Sequence, residues 1–395
     1  MRFLLINRER LGRLFLSLSR RLTRSYYNLL GAMNAMKVLQ VCPDPYGLSG
    51  GILVHVQNIS ERLAKKHDVT VYATNHGLRY PRYELRNGVK IERFDCIAPN
   101  EAYYLSLEML IRLRKVRFDI VHAHGYHAFP LHFSSMAKCD KFIATPHFHG
   151  VGHSTFRNSL VRLLKPFGKM SFEKADRIIA VSEYEKSLIR EQFGFDADRV
   201  TVIPNGVSFN EFSGLKKRDR GFRYVLYVGY LTAFKGAQYL VEVLPKLADD
   251  VILEIVGRGP LKPYLEKRAR ELKVYDRVRF SQNLSRQELL QKYADADVFA
   301  MLSKYEAYSI VVAEALTAET PCVVARASAL SEWIDGETCF GVDLPVSLRQ
   351  LASQINHVLD NGVNRQALKK WIGTKILSWN EVVDRLETHY EQGHS

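Results

Sequence analysis

The sequence predicts an α/β protein of two doubly wound domains, with parallel sheets facing a central cleft. Three observations carry this. Short apolar runs alternate with amphipathic stretches along most of the chain, the pattern of strands and crossover helices. The alternation runs through two series of similar size, parted by the charged, loop-like stretch 214–221. The chain has 395 residues, 47% of them hydrophobic, which suits two domains with large cores and excludes a disordered protein.

The first series begins with the apolar run Val38–Val41, followed by Pro43, Pro45, Gly47, Gly50 and Gly51. Helical periodicity then covers Ile52–Leu63. Further strands are expected at Val69–Ala73, Val89–Phe94, Ile120–Ala123, Phe142–Ala144, Ile178–Val181 and Val200–Ile203. In the second series, strands are expected at Tyr224–Val228, Val251–Val256, Val278–Phe280, Val298–Leu302 and Cys322–Ala325. Helices fit Ala237–Leu247, Leu261–Leu272, Arg286–Ala294 and Ile310–Ala318, and a last helix is expected over Ile376–Tyr390. The domain boundaries expected are 1–35 for an extension, 36–215, 216–375, and 376–395 for the closing helix.

The extension differs in kind from the rest. Leu11, Leu14, Phe15, Leu18, Leu22 and Leu29 form a helical stripe, with Arg10, Arg13, Arg20, Arg21 and Arg24 opposite. Three readings stand: a basic amphipathic helix in a membrane interface, a stripe packed on the body, or a segment preceding a true start at Met33 or Met36. The formal net charge is +14. It is uneven, at +6 for 1–35, +6 for 36–215 and +2 for 216–395. Without any nucleic-acid module, the surplus points away from nucleic acid and toward an anionic membrane surface. Basic residues of the first domain, Arg112, Arg114, Lys115, Arg117, Arg157, Arg162, Lys165 and Lys169, would face it. Five scattered cysteines with no C-x-x-C pair make a disulfide framework or zinc site unexpected. No apolar run approaches the roughly 18–20 residues of a membrane span. The expected location is cytoplasmic, or peripheral on the inner face of the cytoplasmic membrane.

In doubly wound sheets, ligands bind beyond the carboxyl ends of the strands, so chemistry is sought there. Gly50 and Gly51 precede a helix and would let backbone amides approach a phosphate or sugar, or simply form a tight turn. The spacing is not G-x-G-x-x-G. His122 and His124, then His147 and His149, are spaced like metal ligands, but no carboxylate completes a set and no metal is expected. His147 suits a polar contact to substrate and His122 a supporting role. Lys235 at a helix start suits a diphosphate, with a surface lysine as the alternative. Glu306 and Glu314 bracket the start of an apolar helix. A carboxylate can accept hydrogen bonds from vicinal hydroxyls, while the amides of Ala307, Tyr308, Ser309 and Ile310 lie where an anion is favoured. Asp295 with Asp297, and Asp196 with Asp198, look like metal-binding pairs but sit where structural roles are expected.

The ordered set of segments resembles the family-4 retaining glycosyltransferases of GT-B fold, which have two Rossmann-like domains. The matching segments are Gly50–Gly51, Asp119–His124, Thr145–His147, Ala175–Ser182, Val202–Val207, Lys235–Gly236, Gly257–Pro260, the Glu306/Glu314 pair and Ser378–Trp379. The resemblance implies a nucleotide-sugar donor, such as a UDP- or GDP-sugar, and a lipid-linked or polysaccharide acceptor. It implies that Glu314 holds the ribose and that Glu306 with the amides from Ala307 onward holds the sugar. Lys235 would neutralise the diphosphate, His147 would lie beside the sugar ring, and the Gly50–Gly51 backbone would form the opposite wall. No catalytic metal or other cofactor is implied.

The sequence departs from the family pattern at four positions. Tyr230 stands where Arg is usual, with Arg258 as a possible replacement charge. Ser309, Gln282 and Glu319 stand where Gly is usual. At Ser309 a positive φ would cost roughly 1–2 kcal/mol. These departures leave a second reading open, a non-catalytic sugar- or nucleotide-sugar-binding paralogue.

Overall fold

The structure is a computed structural model. It describes residues 35–392 except 44–45, 47–49, 78–79, 99–102, 151–164 and 364. Residues 1–34, which contain the expected basic helix, lie outside the described residues, as do Gly47, Arg157 and Arg162.

The first sheet has eight strands: β1 (Lys37–Cys42), β2 (Asp68–Thr74), β3 (Tyr83–Arg86), β4 (Val89–Phe94), β5 (Arg117–His124), β6 (Lys138–Thr145), β7 (Arg177–Ala180) and β8 (Val200–Val202). Their order is β3-β4-β2-β1-β5-β6-β7-β8, and every pairing is parallel except β3 with β4. Val38, Leu39 and Val41 of β1 are fully buried, because helices cover both faces of the sheet. One buried cluster combines Val38, Ile120 and Ile143 with Leu53, Val56 and Ile59 of helix α1 (Gly51–Leu63). The other unites Leu39, Val121 and Phe142 with Ile189 and Phe193 of helix α2 (Glu183–Phe193).

A small parallel pair follows, β9 (Gly206–Val207) against a late strand at Leu377–Ser378. The second sheet comprises β10 (Arg223–Val228), β11 (Val251–Val256), β12 (Val278–Ser281), β13 (Val298–Met301), β14 (Cys322–Ala325) and β15 (Cys339–Val342). It is wholly parallel, in the order β12-β11-β10-β13-β14-β15. Helix α3 (Arg286–Asp295) and helix α4 (Ile310–Thr317) pack beside its core, with Leu290, Val312 and Leu316 buried. In each sheet the winding reverses beside the first strand, between β1 and β5 and between β10 and β13. These are the switch points at which such sheets leave a crevice.

The structure corrects several expectations. The strand pair β3–β4 joins through Asn87 and Gly88, at φ 49° and 82°, a two-residue hairpin turn. The Asn-Gly signal and the strand after it, Val89–Phe94, were in the sequence, but the four-residue run Tyr83–Arg86 before it concealed the hairpin. Strand β15 was also missed, since Cys339–Val342 offers only four residues and one is glycine. The closing helix does not begin at Ile376. Ser378 caps it with Glu381 in a capping box, so helix α5 is Trp379–Glu391. Its Trp379, Val382, Val383, Leu386 and Tyr390 pack on the first sheet's core. Gly206 permits this approach, because a Cβ there would lie 2.8 Å from the backbone of Trp379.

The basic run of the first domain is partly neutralised. Arg112 lies 3.4 Å from Glu92, and Arg117 pairs with Asp140. No helix among the described residues is long and apolar enough to cross a membrane.

Candidate active site at the two switch points

The first switch point is lined by histidines. His55 lies on α1, one turn beyond Gly50 and Gly51. His124 ends β5, and His147 follows β6 at φ 49°. Gly50 is the N-cap residue of α1 and accepts from the Val54 amide at 2.9 Å. Gly51 opens the helix, and a Cβ there would meet nothing within 4 Å. The rings of His55, His124 and His147 have centroids 5.1–5.9 Å apart. All three are buried. Burial lowers the His55 pKa to about 4, against a raising bond from Asn205. Burial, then the neighbouring imidazoles, holds His124 and His147 well below the usual histidine range. All three are therefore neutral at pH 7.

His122 supports this layer. Its Nδ1 meets the Tyr390 hydroxyl at 2.7 Å and its Nε2 meets Thr145 Oγ1 at 2.7 Å. Close by, Glu185 caps its own helix region by accepting from the amides of Phe148 and Val181 at 2.5 and 2.7 Å. Burial pushes its carboxyl up to about 8, although the two amides oppose this. The sequence reading missed His55 and Glu185, and it placed Asn205 in the Val202–Val207 segment without its bond to His55. Only the helical spacing of His55 from the Gly50–Gly51 turn could have pointed to it.

The second switch point is lined by charges in pairs. Lys235 follows β10 and Glu306 follows β13, and their side chains meet at 2.6 Å. Lys235 ends a short 3-10 turn that Gly236 closes at φ 79°. A Cβ at Gly236 would come 2.3 Å from the Leu302 carbonyl, so glycine is required there on both counts. The Glu306 amide donates to Ser328 Oγ at 3.0 Å, which fixes the loop. Tyr308 is buried, and its carbonyl accepts from Trp333 Nε1 at 2.9 Å. Ala307 and Ile310 are half-buried against the second core. Helix α4 starts at Ile310 with no side-chain cap; the Val312 and Ala313 amides turn back to the Ser309 carbonyl at 3.2 and 3.4 Å, and the first amides of the helix face the position where an anion is favoured.

Glu314 sits one turn into α4, nearly fully buried. Arg286 Nη1 donates to its Oε1 at 2.6 Å, and Arg286 Nε also donates to Glu211 at 2.8 Å. Burial raises the Glu314 carboxyl, with Arg286 opposing. Arg286 and Trp333 were not anticipated, because neither lies in a motif at the end of a strand.

Of the aspartate pairs, Asp295 and Asp297 are held by structural partners. Asp295 accepts from Arg218 and Arg220; burial alone would raise it, but these bonds hold it at about 2. Asp297 accepts from the Tyr224 amide and pairs with Lys217. Asp198 lies in the 3-10 turn before β8. Of the departures, Ser309 takes φ 78° and Glu319 takes φ 60°, both left-handed. Gln282 does not, and its neighbour Asn283 takes φ 56° instead. Tyr230 is 47% exposed. The adjoining Leu231 amide donates to the Arg258 carbonyl at 2.8 Å, so this arginine lies beside the position it would replace.

The two walls touch through α2, whose Tyr184 amide donates to Glu332 Oε1 at 2.6 Å.

Two family descriptions match consecutive stretches of the chain: Glycosyltransferase Family 4 over residues 49–211 and Glycosyl transferases group 1 over residues 209–372. An uncharacterised glycosyltransferase of Methanocaldococcus jannaschii is 29% identical over 332 residues, 76% of this chain and 83% of that protein. A glycogen synthase of Mycobacterium tuberculosis is 29% identical over 360 residues, 82% of this chain and 86% of that protein. Among solved structures, Anabaena Alr3699/HepE in complex with UDP-glucose matches with TM-score 0.70 at 17% identity, over 90% of this chain and 99% of that one. With two Rossmann-ordered sheets and both family matches in sequence, the chain belongs to the GT-B glycosyltransferases of the family-4 type.

Proposed function

We propose that the protein moves a hexosyl group, with retention of configuration and without a catalytic metal, from a nucleoside-diphosphate sugar to a lipid-linked or polysaccharide acceptor. The observation that carries this is the Lys235–Glu306 pair beside the uncapped start of α4, with Glu314 one turn below. The α4 amides and Lys235 receive the diphosphate, taking the electrostatic role a metal would otherwise have. Glu314 accepts from the ribose hydroxyls, and Glu306 accepts from hydroxyls of the sugar. Arg258 adds charge in place of the arginine missing at Tyr230. His147, neutral and at the other switch point, lies beside the sugar ring, with the Gly50–Gly51 backbone forming that wall. In a front-face displacement the anomeric C–O bond to the leaving phosphate breaks as the acceptor oxygen bonds the same carbon. The acceptor proton passes to the leaving phosphate oxygen.

The UDP-glucose complex of the Anabaena protein supports a UDP-linked donor. The glycogen synthase likeness supports a polysaccharide acceptor. The basic surplus of the first domain supports a position on the inner face of an anionic membrane. The test is a panel of UDP- and GDP-sugars with chelator present, followed by NMR of the product's anomeric proton. Turnover with the donor's configuration kept is expected. An inverted product, or turnover that chelator abolishes, overturns the reading.

A further inference from the structure

We propose that His55, His124 and His147 form a binding site for a transition-metal dication of the Zn²⁺ type, and that filling it inhibits transfer by occupying His147.

The hydrogen-bond network assigns the protons. Asn205 Oδ1 can only accept, and it lies 2.6 Å from His55 Nδ1, so that nitrogen carries the proton. His55 Nε2 is then a bare lone pair, buried and without a hydrogen-bond partner among the described residues. Gln40 donates its amide nitrogen to the Tyr390 hydroxyl at 3.2 Å, which turns its Oε1 toward His124 Nε2 at 2.8 Å. His124 Nε2 therefore carries the proton, and its buried Nδ1 is left without a partner. The Nε2 of His147 is also buried and without one. One ligand nitrogen from each of the three side chains can be chosen so that all lie within 4.8 Å of one another.

Buried polar atoms are ordinarily satisfied, so several unpaired imidazole nitrogens around one point call for a shared partner. Asn205 and Gln40 stand where second-shell groups orient metal-bound histidines. Zinc bound to nitrogen at about 2.0–2.1 Å needs nitrogens roughly 3.3 Å apart in a tetrahedron, so ring rotation must draw the three inward. A set of imidazoles without carboxylate selects Zn²⁺, Cu²⁺ or Ni²⁺ and rejects Mg²⁺ and Ca²⁺. Three protein ligands leave the fourth position to water. Sequence spacing could not find this set, because it comes from α1, β5 and the loop after β6.

The inhibitory clause rests on the role given to His147 above; the binding clause does not. The experiment uses the full chain without a histidine tag, stripped of metal and titrated with Co²⁺ and then Zn²⁺. One Co²⁺ per chain is expected, with the visible bands of a four-coordinate ion, displaced by Zn²⁺. His55→Gln and His124→Gln should each lose this spectrum, while the exposed His357→Gln keeps it. Asn205→Ala should weaken binding about 10–100-fold. Circular dichroism and a cooperative urea transition matching the parent's check that each variant is folded. No bound Co²⁺, or an unchanged spectrum in a folded His124→Gln variant, overturns the site. Transfer that proceeds at full rate with Zn²⁺ bound overturns the inhibition alone. If no donor turns over, the proposed function fails while the titration still decides the site.

Discussion

At the first switch point, between β1 and β5, the buried side chains are neutral imidazoles, and beside Phe148, next to His147, the Glu185 carboxyl of α2 is pushed toward protonation. At the second, between β10 and β13, Lys235 is set against Glu306 and Arg286 against Glu314. Six strands of the first sheet, β4-β2-β1-β5-β6-β7, run in the same order as the six of the second, so the contrast arises from the residues placed after equivalent strands. The first wall excludes charge by burying groups that can lose it. The second keeps its charges by pairing them, which makes them available to a charged substrate at the cost of an exchange of partners. Under the proposed function, part of the donor's binding energy would go into replacing Glu306 on Lys235 with phosphate.

The sharpest way to break this contrast is to separate the second pair. Glu306→Ala should lower kcat about 10²–10³-fold, the scale for losing one aligned polar contact in a transition state. It should leave UDP affinity unchanged or tighter, because Lys235 is released to the diphosphate. Lys235→Ala should weaken UDP binding about tenfold and leave Glu306 facing the phosphates. Calorimetry with UDP and steady-state rates separate these effects. Equal losses of UDP affinity in both variants would mean that the pair binds as a unit.

A second expectation concerns the neutral wall. Glu185 has a folded pKa raised to about 8 from an ordinary 4.5. The folded state thus binds more protons between those values, and stability falls as pH rises through that window. The contribution is fully present below about pH 4.5 and lost above about pH 8, on the order of a few kcal/mol. The depressed histidines act oppositely at the acid end, so the measurement is a difference. Denaturant midpoints of the parent should decline relative to those of Glu185→Gln from pH 5 to 8. Parallel curves would show that Glu185 is ionised throughout.

The smallest effect lies at Ser309, where φ is 78° and no side-chain bond caps α4. Ser309→Gly removes the strain of a left-handed serine but gives the unfolded chain more freedom. A gain of about 1 kcal/mol is expected in urea unfolding. A loss would mean that the buried Ser309 hydroxyl holds the loop through a contact outside the protein chain.

Most strands and helices of both sheets could be read from apolar period alone, since buried parallel strands leave continuous apolar runs. Asn87–Gly88 shows a legible turn that the short strand before it, Tyr83–Arg86, concealed. Lys235, Glu306 and Glu314 were legible because each sits at a fixed offset from a strand or helix start. Arg286 was not, because it joins Glu314 from a separate helix. The same holds for His55, whose partners His124 and His147 lie on two other elements.

The sequence by itself determined the two-domain α/β plan and the residues that follow each strand. Local periodicity and turn chemistry act over a few residues, so they survive in one dimension. Only the tertiary structure decided which of those residues meet. Strand order brings β1 beside β5 and β10 beside β13 across long stretches of chain. Burial then sets whether a group stands as a charge, a pair or a neutral lone pair. That choice depends on solvent exclusion and on partners from other elements, neither of which is written at the residue itself.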